Sequence, residues 1–359
     1  MLYLAIDQHR KQLTTNTRDE SGDVVLHRQV STRWDKVRSF FEEFRQRAEG
    51  EGGFVAIVEV CGFNDWLLKM LKEYGCQEIV VIQPTDRSKR KTDRRDANRL
   101  AELLWLYRHR LLGDKRVQGI RRVRPASPLD AYARQLTTLR CRLVRQRTRT
   151  INRVQHLLLK QNLQQECPTK GIQTKRARQW LETLSLPKID RFEMDGMLAQ
   201  WKLLEEQLVP TEEKILQCLE HHPIARLLLS IPGAAAYSAL AIACRIGDIA
   251  LFPRPESLAN FWGLTPSSNN SGDNDKRLGA ITKEGSGLVR FLLGQLVMHV
   301  LRKDHGLRKW YRDVKRRRGS KIARVAVMRR LATIIWHMVK HSQYYSPLKS
   351  RRTVDVNQI

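Results

Sequence analysis

Four acidic residues stand where the sequence predicts strand ends or the start of a helix. Asp7 closes the first apolar run of the chain, and Glu59 closes a later one. Asp93 and Asp96 are three residues apart, so on a helix both project from nearly one face. Mg²⁺ prefers hard oxygen ligands and stays partly hydrated, which leaves positions for a phosphate and its nucleophile. If the four acids converge, they suit metal-dependent phosphodiester chemistry.

Each acid also has a simpler explanation. Asp93 is a good helix N-cap, and the helix dipole favours an acid such as Asp96 in the first turn. Asp7 and Glu59 need only be exposed or paired, because an unpaired buried charge is costly. The residues around Asp93 and Asp96 favour the functional interpretation. They form a dense cationic run, which suits contact with a phosphate backbone. The predicted nucleic-acid contacts in that run are Arg87, Lys89, Arg90, Lys91, Arg94 and Arg95.

The composition indicates a folded protein with a polyanionic partner. The chain has 359 residues, which allows two or three domains of roughly 100–200 residues each. Its 65 Lys and Arg against 37 Asp and Glu give a formal charge of +28, which favours nucleic acid as the partner. Apolar residues make up 42% of the chain, so a disordered basic tail is excluded.

Membrane insertion and a disulfide scaffold are not expected. No apolar run approaches the roughly 18–20 residues of a spanning helix, and a charge interrupts the first run too early for a signal peptide. We therefore expect a cytoplasmic protein. The six cysteines form no cluster of zinc spacing, and we expect them to be reduced packing residues.

Residues 1–110 have the pattern of an α/β domain. Short apolar strands and helices alternate, which predicts a partly parallel sheet with helices packed on it. A helix from Asp93 to His109 is predicted to be the last element of this domain. The predicted strands are Leu2–Ile6, Leu13–Thr17, Val24–Val30, Phe54–Val58 and Glu78–Ile82, and the other predicted helices are Trp34–Ala48 and Asn64–Tyr74.

The remainder of the chain is predicted to be mainly helical. Residues 111–223 read as a basic linker and an antiparallel helical pair or coiled-coil arm, whose second helix spans Phe192–His222. Residues 224–345 form a mainly α domain with a tight turn at Ser230–Ala236, a polar loop at Thr265–Arg277, and helices over about 286–302 and 320–342. Residues 346–359 are a basic, polar tail.

Several of these motifs together are similar to one known family. The segments around the acids resemble the DEDD domain of the insertion-sequence-110 transposase family, which is related to the RuvC junction nuclease and has an RNase H-like fold. Those segments are Ala5–His9, Val58–Glu59 and Lys91–Ala97. In the last domain the family's order is followed by Ile231–Gly233, Ile246–Asp248, Gly263–Pro266, Ser271–Gly272 and Ile281–Gly285.

The resemblance implies a chemistry and a set of partners. It implies Mg²⁺, with Mn²⁺ as the alternative, on Asp7, Glu59, Asp93 and Asp96, and Ser271 as a nucleophile that forms a covalent link to DNA. It further implies donor and target DNA, a structured noncoding guide RNA, and assembly as a homo-oligomer, a dimer or tetramer. From composition alone Ser267 and Ser268 are equally plausible nucleophiles, and a serine before glycine is usually only a turn residue.

His9 and the basic clusters have both structural and functional interpretations. His9 follows Asp7 by two residues on one side of a strand, and we expect a structural hydrogen bond rather than a metal ligand. Family members usually have lysine where this chain has Arg10, which keeps the charge and changes its geometry. Further predicted nucleic-acid contacts are Arg121, Arg122, Arg316 and Arg317, although charge runs are commonly solvated helix faces.

Three functions are compatible with these residues. The first is a recombinase that cuts and rejoins DNA through a serine intermediate. The second is a hydrolytic, RuvC-like junction nuclease that uses only the carboxylates and water. The third is a non-catalytic nucleic-acid-binding protein, which has no need for four acids within its basic region.

Overall fold

The computed structural model describes residues 1–83, 93–268 and 278–347, with backbone alone at residues 93, 94, 268 and 278. The chain divides into two compact units, Met1–Pro125 and Ala126–Ile359. None of the helices within the described ranges is both long and apolar enough to cross a membrane. All six cysteines are free, as predicted, and Cys218 and Cys244 are buried.

The first unit is built on a six-stranded mixed sheet in the order β3-β2-β1-β4-β5-β6. β1 and β4 pair in parallel, as do β4 and β5, and the other neighbours are antiparallel. The strands are β1 (Leu2–Gln8), β2 (Gln12–Arg18), β3 (Val24–Ser31), β4 (Phe54–Glu59), β5 (Ile79–Ile82) and β6 (Arg122–Val123). The five strands predicted from alternation are confirmed, and the two-residue β6 is an addition.

Helices cover both faces of this sheet, which confirms the predicted α/β layering. α1 (Trp34–Glu49) and α2 (Asp65–Glu73) pack on one face, around buried side chains such as Phe41 and Leu71. α3 (Asp93–Leu106) and α4 (Arg108–Leu112) pack on the other. β1 is buried on both faces of the sheet, and the residues of this strand that precede Asp7 are accordingly apolar or aromatic.

The second unit begins with a long antiparallel helical pair, as predicted. α5 (Pro128–Lys160) and α7 (Lys188–Glu220) have 33 residues each, and α6 (Lys175–Thr183) lies between them in sequence. Ion pairs tie the two helices at two levels, with Arg140 bonded to Glu212 and Lys160 to Asp190. Trp201 is fully buried between them.

Six shorter helices and an antiparallel pair of strands follow in the described part of the second unit. The predicted turn at Ser230–Ala236 joins two helices, and the helices near 286–302 and 320–342 are confirmed. The elements are α8 (Pro223–Leu228), α9 (Ala236–Ala243), α10 (Pro255–Phe261), β7 (Pro266–Ser268), β8 (Leu278–Ile281), α11 (Gly287–Lys303), α12 (His305–Arg318) and α13 (Ser320–Lys340). The prediction of a loop starting at Thr265 is wrong at its start, because Pro266–Ser268 pairs with β8.

A buried Asp130–His222 pair ties the start of α5 to the start of α8. His222 Nε2 lies 3.0 Å from Asp130 Oδ1, and the Ser127 hydroxyl donates to Asp130 Oδ2 at 2.8 Å. His222 Nδ1 accepts the backbone N–H of Ala225, so Nε2 carries the proton that is donated. Burial alone would raise the pKa of Asp130, but the hydrogen bonds from His222 and Ser127 outweigh it and lower that pKa below its ordinary value.

Replacing Asp130 with Asn should destabilise the chain by about 1–2 kcal/mol near neutral pH, because hydrogen bonds to a charged acceptor are lost. Since folding lowers the pKa of Asp130, its contribution is present above the unfolded value and is lost as pH falls through the folded one. In urea denaturation the difference between wild type and Asp130→Asn should therefore shrink below about pH 4. An unchanged difference at low pH would contradict the assignment, and Glu182→Gln, at an exposed acid, is the control.

Candidate active site

Asp7 and Glu59 stand side by side at the carboxyl edge of the sheet. β1 and β4 pair in parallel with Ile6 opposite Val58, so the next residue of each strand is the acid. Side chains alternate along a strand, and the residues before the acids pack toward α1 and α2. The acids therefore point to the face that α3 covers. The two strands are neighbours, as the predicted grouping of these acids requires.

The first turn of α3 lies at the same edge of the sheet. The Trp105 indole, near the end of α3, donates to the Glu20 carbonyl beyond the far end of β2. About two turns earlier on α3, the Asn98 side chain accepts a hydrogen bond from the Asn16 side chain, and Asn16 is paired with Ala5 of β1. α3 thus runs antiparallel to β1, and its start is on the side of Asp7. Asp93 and Asp96 occupy that first turn.

The donor chemistry fits a divalent cation, and the described side chains supply part of a site. Asp7 and Glu59 provide carboxylate oxygens from neighbouring strand ends, and one or two carboxylates are the usual protein contribution to a Mg²⁺ site. Among the side chains that the structure describes, no group of three or more His, Cys, Asp or Glu is placed to hold a metal ion. Asp7, Glu59 and Asp96 all belong to that set, so these three carboxylates are not placed together as a metal-binding group, and the Asp93 side chain lies outside the set.

His9 contacts Asp7 directly. Its Nε2 lies 3.0 Å from Asp7 Oδ2, and the histidine is much more exposed than the acid. The predicted structural hydrogen bond of His9 is confirmed. Because this bond holds one carboxylate oxygen, it restricts the rotation of Asp7 at the edge of the sheet.

A buried amide pair joins the two strand ends behind the acids. Asn64 donates to Gln8 Oε1 at 2.8 Å and to the Glu59 carbonyl at 3.2 Å, and its own oxygen accepts from the Cys61 N–H. Gln8 in turn donates to the Phe63 carbonyl at 3.0 Å. Gln8 follows Asp7 and Asn64 follows Glu59 by five residues, so the network fixes the backbone of both acids. The sequence interpretation missed it, although amides buried beside strand-end acids are a usable signal.

The predicted basic contacts differ in their surroundings. Arg95 is exposed on α3, and Arg121 is exposed just before β6. Arg122, on β6, has a structural role. Its guanidinium donates hydrogen bonds to Glu78 at 2.5 Å, to Asp114 at 3.2 Å and to the Leu111 carbonyl at 2.5 Å. Such engagement leaves it little capacity for a phosphate. The side chains of Arg87, Lys89, Arg90, Lys91 and Arg94 lie outside the described residues.

On α12 the predicted contacts Arg316 and Arg317 are close to one acid. Arg316 is mostly exposed and pairs with Asp313 one turn earlier at 2.5 Å. Arg317 donates to the Asp313 carbonyl at 3.4 Å. An exposed pair of this kind contributes little to stability, so its cations can turn to a phosphate at small cost.

Of the candidate nucleophiles, Ser267 lies on β7, which pairs with β8 in the second unit. Ser267 donates its hydroxyl to the Ala280 carbonyl at 3.1 Å across this pair of strands. The side chain of Ser268 and the whole of Ser271 lie outside the described residues. Below these strands, Gly263 has φ +64°, and a Cβ there would lie 2.3 Å from the Glu284 nitrogen. This close backbone approach requires glycine.

Comparison with known proteins relates both units to transposases. A family described as "Transposase", whose label combines DEDD with IS110, matches residues 4–162, and the "Transposase IS116/IS110/IS902 family" matches residues 225–312. The transposase for insertion sequence element IS1111A of Coxiella burnetii is 27% identical over 308 residues, which cover 80% of this chain and 78% of that protein. A probable family 20 transposase of Pseudomonas aeruginosa is 25% identical over 358 residues, which cover 96% of this chain and 98% of that protein.

Replacing Asn64 with Ala should destabilise the chain by about 1–3 kcal/mol, because the Gln8 oxygen and the Glu59 carbonyl lose a buried donor. Urea denaturation of the full chain measures this loss. Asn152→Ala, at an exposed position of α5, should change stability by less than about 0.5 kcal/mol. Equal stabilities for Asn64→Ala and Asn152→Ala would show that the amide pair does not hold the strand ends.

Proposed function

The chain belongs to the insertion-sequence-110 family of transposases, and we propose that it cuts and rejoins DNA by way of a covalent serine intermediate. The observation that carries the proposal is the placement of Asp7 beside Glu59, with the first turn of α3 at the same edge. That arrangement lies within the part of the chain that one transposase family matches. The formal charge of +28 supports DNA as the partner.

Asp7 and Glu59, together with Asp93 and Asp96, are the residues proposed to hold a divalent cation, with Mg²⁺ first and Mn²⁺ second. When bound, such an ion stabilises negative charge on a phosphate that is being displaced. The contribution of the chain is to keep the acids in place. His9 restrains Asp7, and Asn64 fixes the turn that follows Glu59.

Ser271 is the proposed nucleophile. Its Oγ would form a bond to the phosphorus as the bond to one DNA oxygen breaks, so the serine loses a proton and the released DNA end gains one. Attack by that end, or by the end of another strand, would reverse the step and rejoin DNA without an external energy source. The hydrogen bond that Ser267 makes to Ala280 supports this choice, because it assigns the Ser267 hydroxyl a structural role.

A guide RNA and self-assembly complete the proposal. Base pairing by a structured noncoding RNA would select donor and target DNA, while the basic protein holds the backbones. Assembly as a dimer or tetramer is supported by the exposed face of α7. Ile189, Phe192 and Leu203 are well exposed and recur there at helical spacing, with Gly196 between them.

Asp7→Asn and Glu59→Gln should each lower the rate of DNA cleavage by about 100-fold or more, because a charge that stabilises the transition state is lost. The assay follows labelled donor and target DNA with Mg²⁺ and RNA transcribed from the noncoding DNA beside the gene. Glu182→Gln, at an exposed acid of α6, should cleave like wild type. Full activity of both active-site variants would favour a role for these acids in folding alone.

Ser271→Ala should abolish the protein–DNA adduct that survives denaturant, because the attacking oxygen is removed. Ser267→Ala should retain it. Electrophoresis of the same reactions in denaturant detects the adduct. An adduct that persists in Ser271→Ala would sink the serine assignment, and cleavage to free ends with no adduct in wild type would indicate the hydrolytic nuclease instead.

A further inference from the structure

An aromatic pocket lies at the same edge of the first unit as the acids. Its volume is about 260 Å³, and Trp34, Phe63 and Trp66 line it together with His9 and Arg10. His9 and Arg10 come from the turn after β1, Trp34 from the start of α1, Phe63 from the connection between β4 and α2, and Trp66 from the first turn of α2. Segments that follow three strands at the carboxyl edge of the sheet therefore build one concave surface.

Two of the aromatic rings are unusually exposed. Trp34 keeps 53% of its surface accessible and Phe63 keeps 47%. Trp34 meets Trp66 edge to face, with ring centroids 5.5 Å apart. The Gln8 side chain holds the Phe63 carbonyl at 3.0 Å. The pocket thus presents exposed aromatic surface that a flat apolar group can contact.

Two arginines lie beside these rings. The Arg38 guanidinium lies 5.9 Å from the centre of the Trp34 ring. Arg10 lines the pocket and has no ion-pair partner among the residues that the structure describes. An apolar partner alone would not require these cations. An aromatic slot with cations at its rim matches a nucleotide, which combines a flat base with an anionic phosphate.

His9 connects the pocket to the acids. It lines the pocket and also bonds to Asp7 Oδ2 at 3.0 Å. The pocket opens on the α1 side of the sheet and the acids on the α3 side, at the same edge. A strand that passes over this edge can present a phosphate to the acids and the base of a nearby nucleotide to the rings.

We propose that the Trp34–Phe63–Trp66 pocket binds one unpaired base of the DNA strand that is cut. The inference rests on the proposed function, because it assumes that DNA reaches the acids. Base–aromatic stacking tolerates any sequence, so the pocket would favour unstacked DNA and leave the choice of sequence to pairing elsewhere.

The test is binding by the full-length protein in EDTA, where no cleavage takes place. Fluorescence anisotropy would measure the affinity for labelled oligothymidine, for the matching RNA, and for a duplex of equal length at one salt concentration. Trp34→Ala and Phe63→Ala should each weaken binding of the DNA single strand about tenfold and leave duplex binding nearly unchanged. Trp34→Phe, which keeps a ring, should recover most of the loss.

Tyr344→Ala removes a more exposed aromatic ring outside this unit and should bind both DNAs like wild type. If Trp34→Ala and Phe63→Ala lost equal affinity for single strand and duplex, or lost none for either, the proposal that the pocket binds an unpaired base would be wrong. A larger loss for RNA than for DNA would overturn the assignment to the cut strand. Since the assay needs no catalysis, an inactive active site would fail in the cleavage assays and leave this result intact.

Discussion

The parallel pairing of β1 with β4 is the constraint on which the candidate site depends. With Ile6 opposite Val58, both acids come next and share one face of the sheet. A slip of one residue would turn one acid toward the α1 core and separate the pair. The register is held from both sides, because apolar residues of both strands fill the cores on the two faces. Hydrophobic packing therefore fixes the geometry of a charged site.

Two neighbouring carboxylates repel each other, and the surroundings of the pair offset this repulsion. His9 bonds to Asp7, and the start of α3, the positive end of a helix dipole, lies at the same edge. The excess of basic residues in the chain works in the same direction over longer distances.

Three of the elements that sequence reasoning missed share a physical cause. Leu307 is the one buried residue among the described positions of α12, and many of its other residues are charged. The helix therefore lacks the apolar stripe by which an amphipathic helix is identified from sequence. β6 has two residues, and β7 begins at a proline, so neither has enough alternating positions to identify a strand. These elements form because a longer neighbour supplies their partners.

The sequence by itself determined the local features of this protein. Alternating apolar residues placed the strands before Asp7 and Glu59, helical spacing placed α1, α3 and the arm of α5 and α7, and composition specified a polyanionic partner. Only the tertiary structure decided that β1 neighbours β4, that α3 returns toward Asp7, and that Asn64 joins both strand ends. The same holds for the pocket, whose rings come from α1, α2 and the connection before α2. Periodicity records which face of an element is buried, whereas strand order and contacts between loops arise from packing among distant segments.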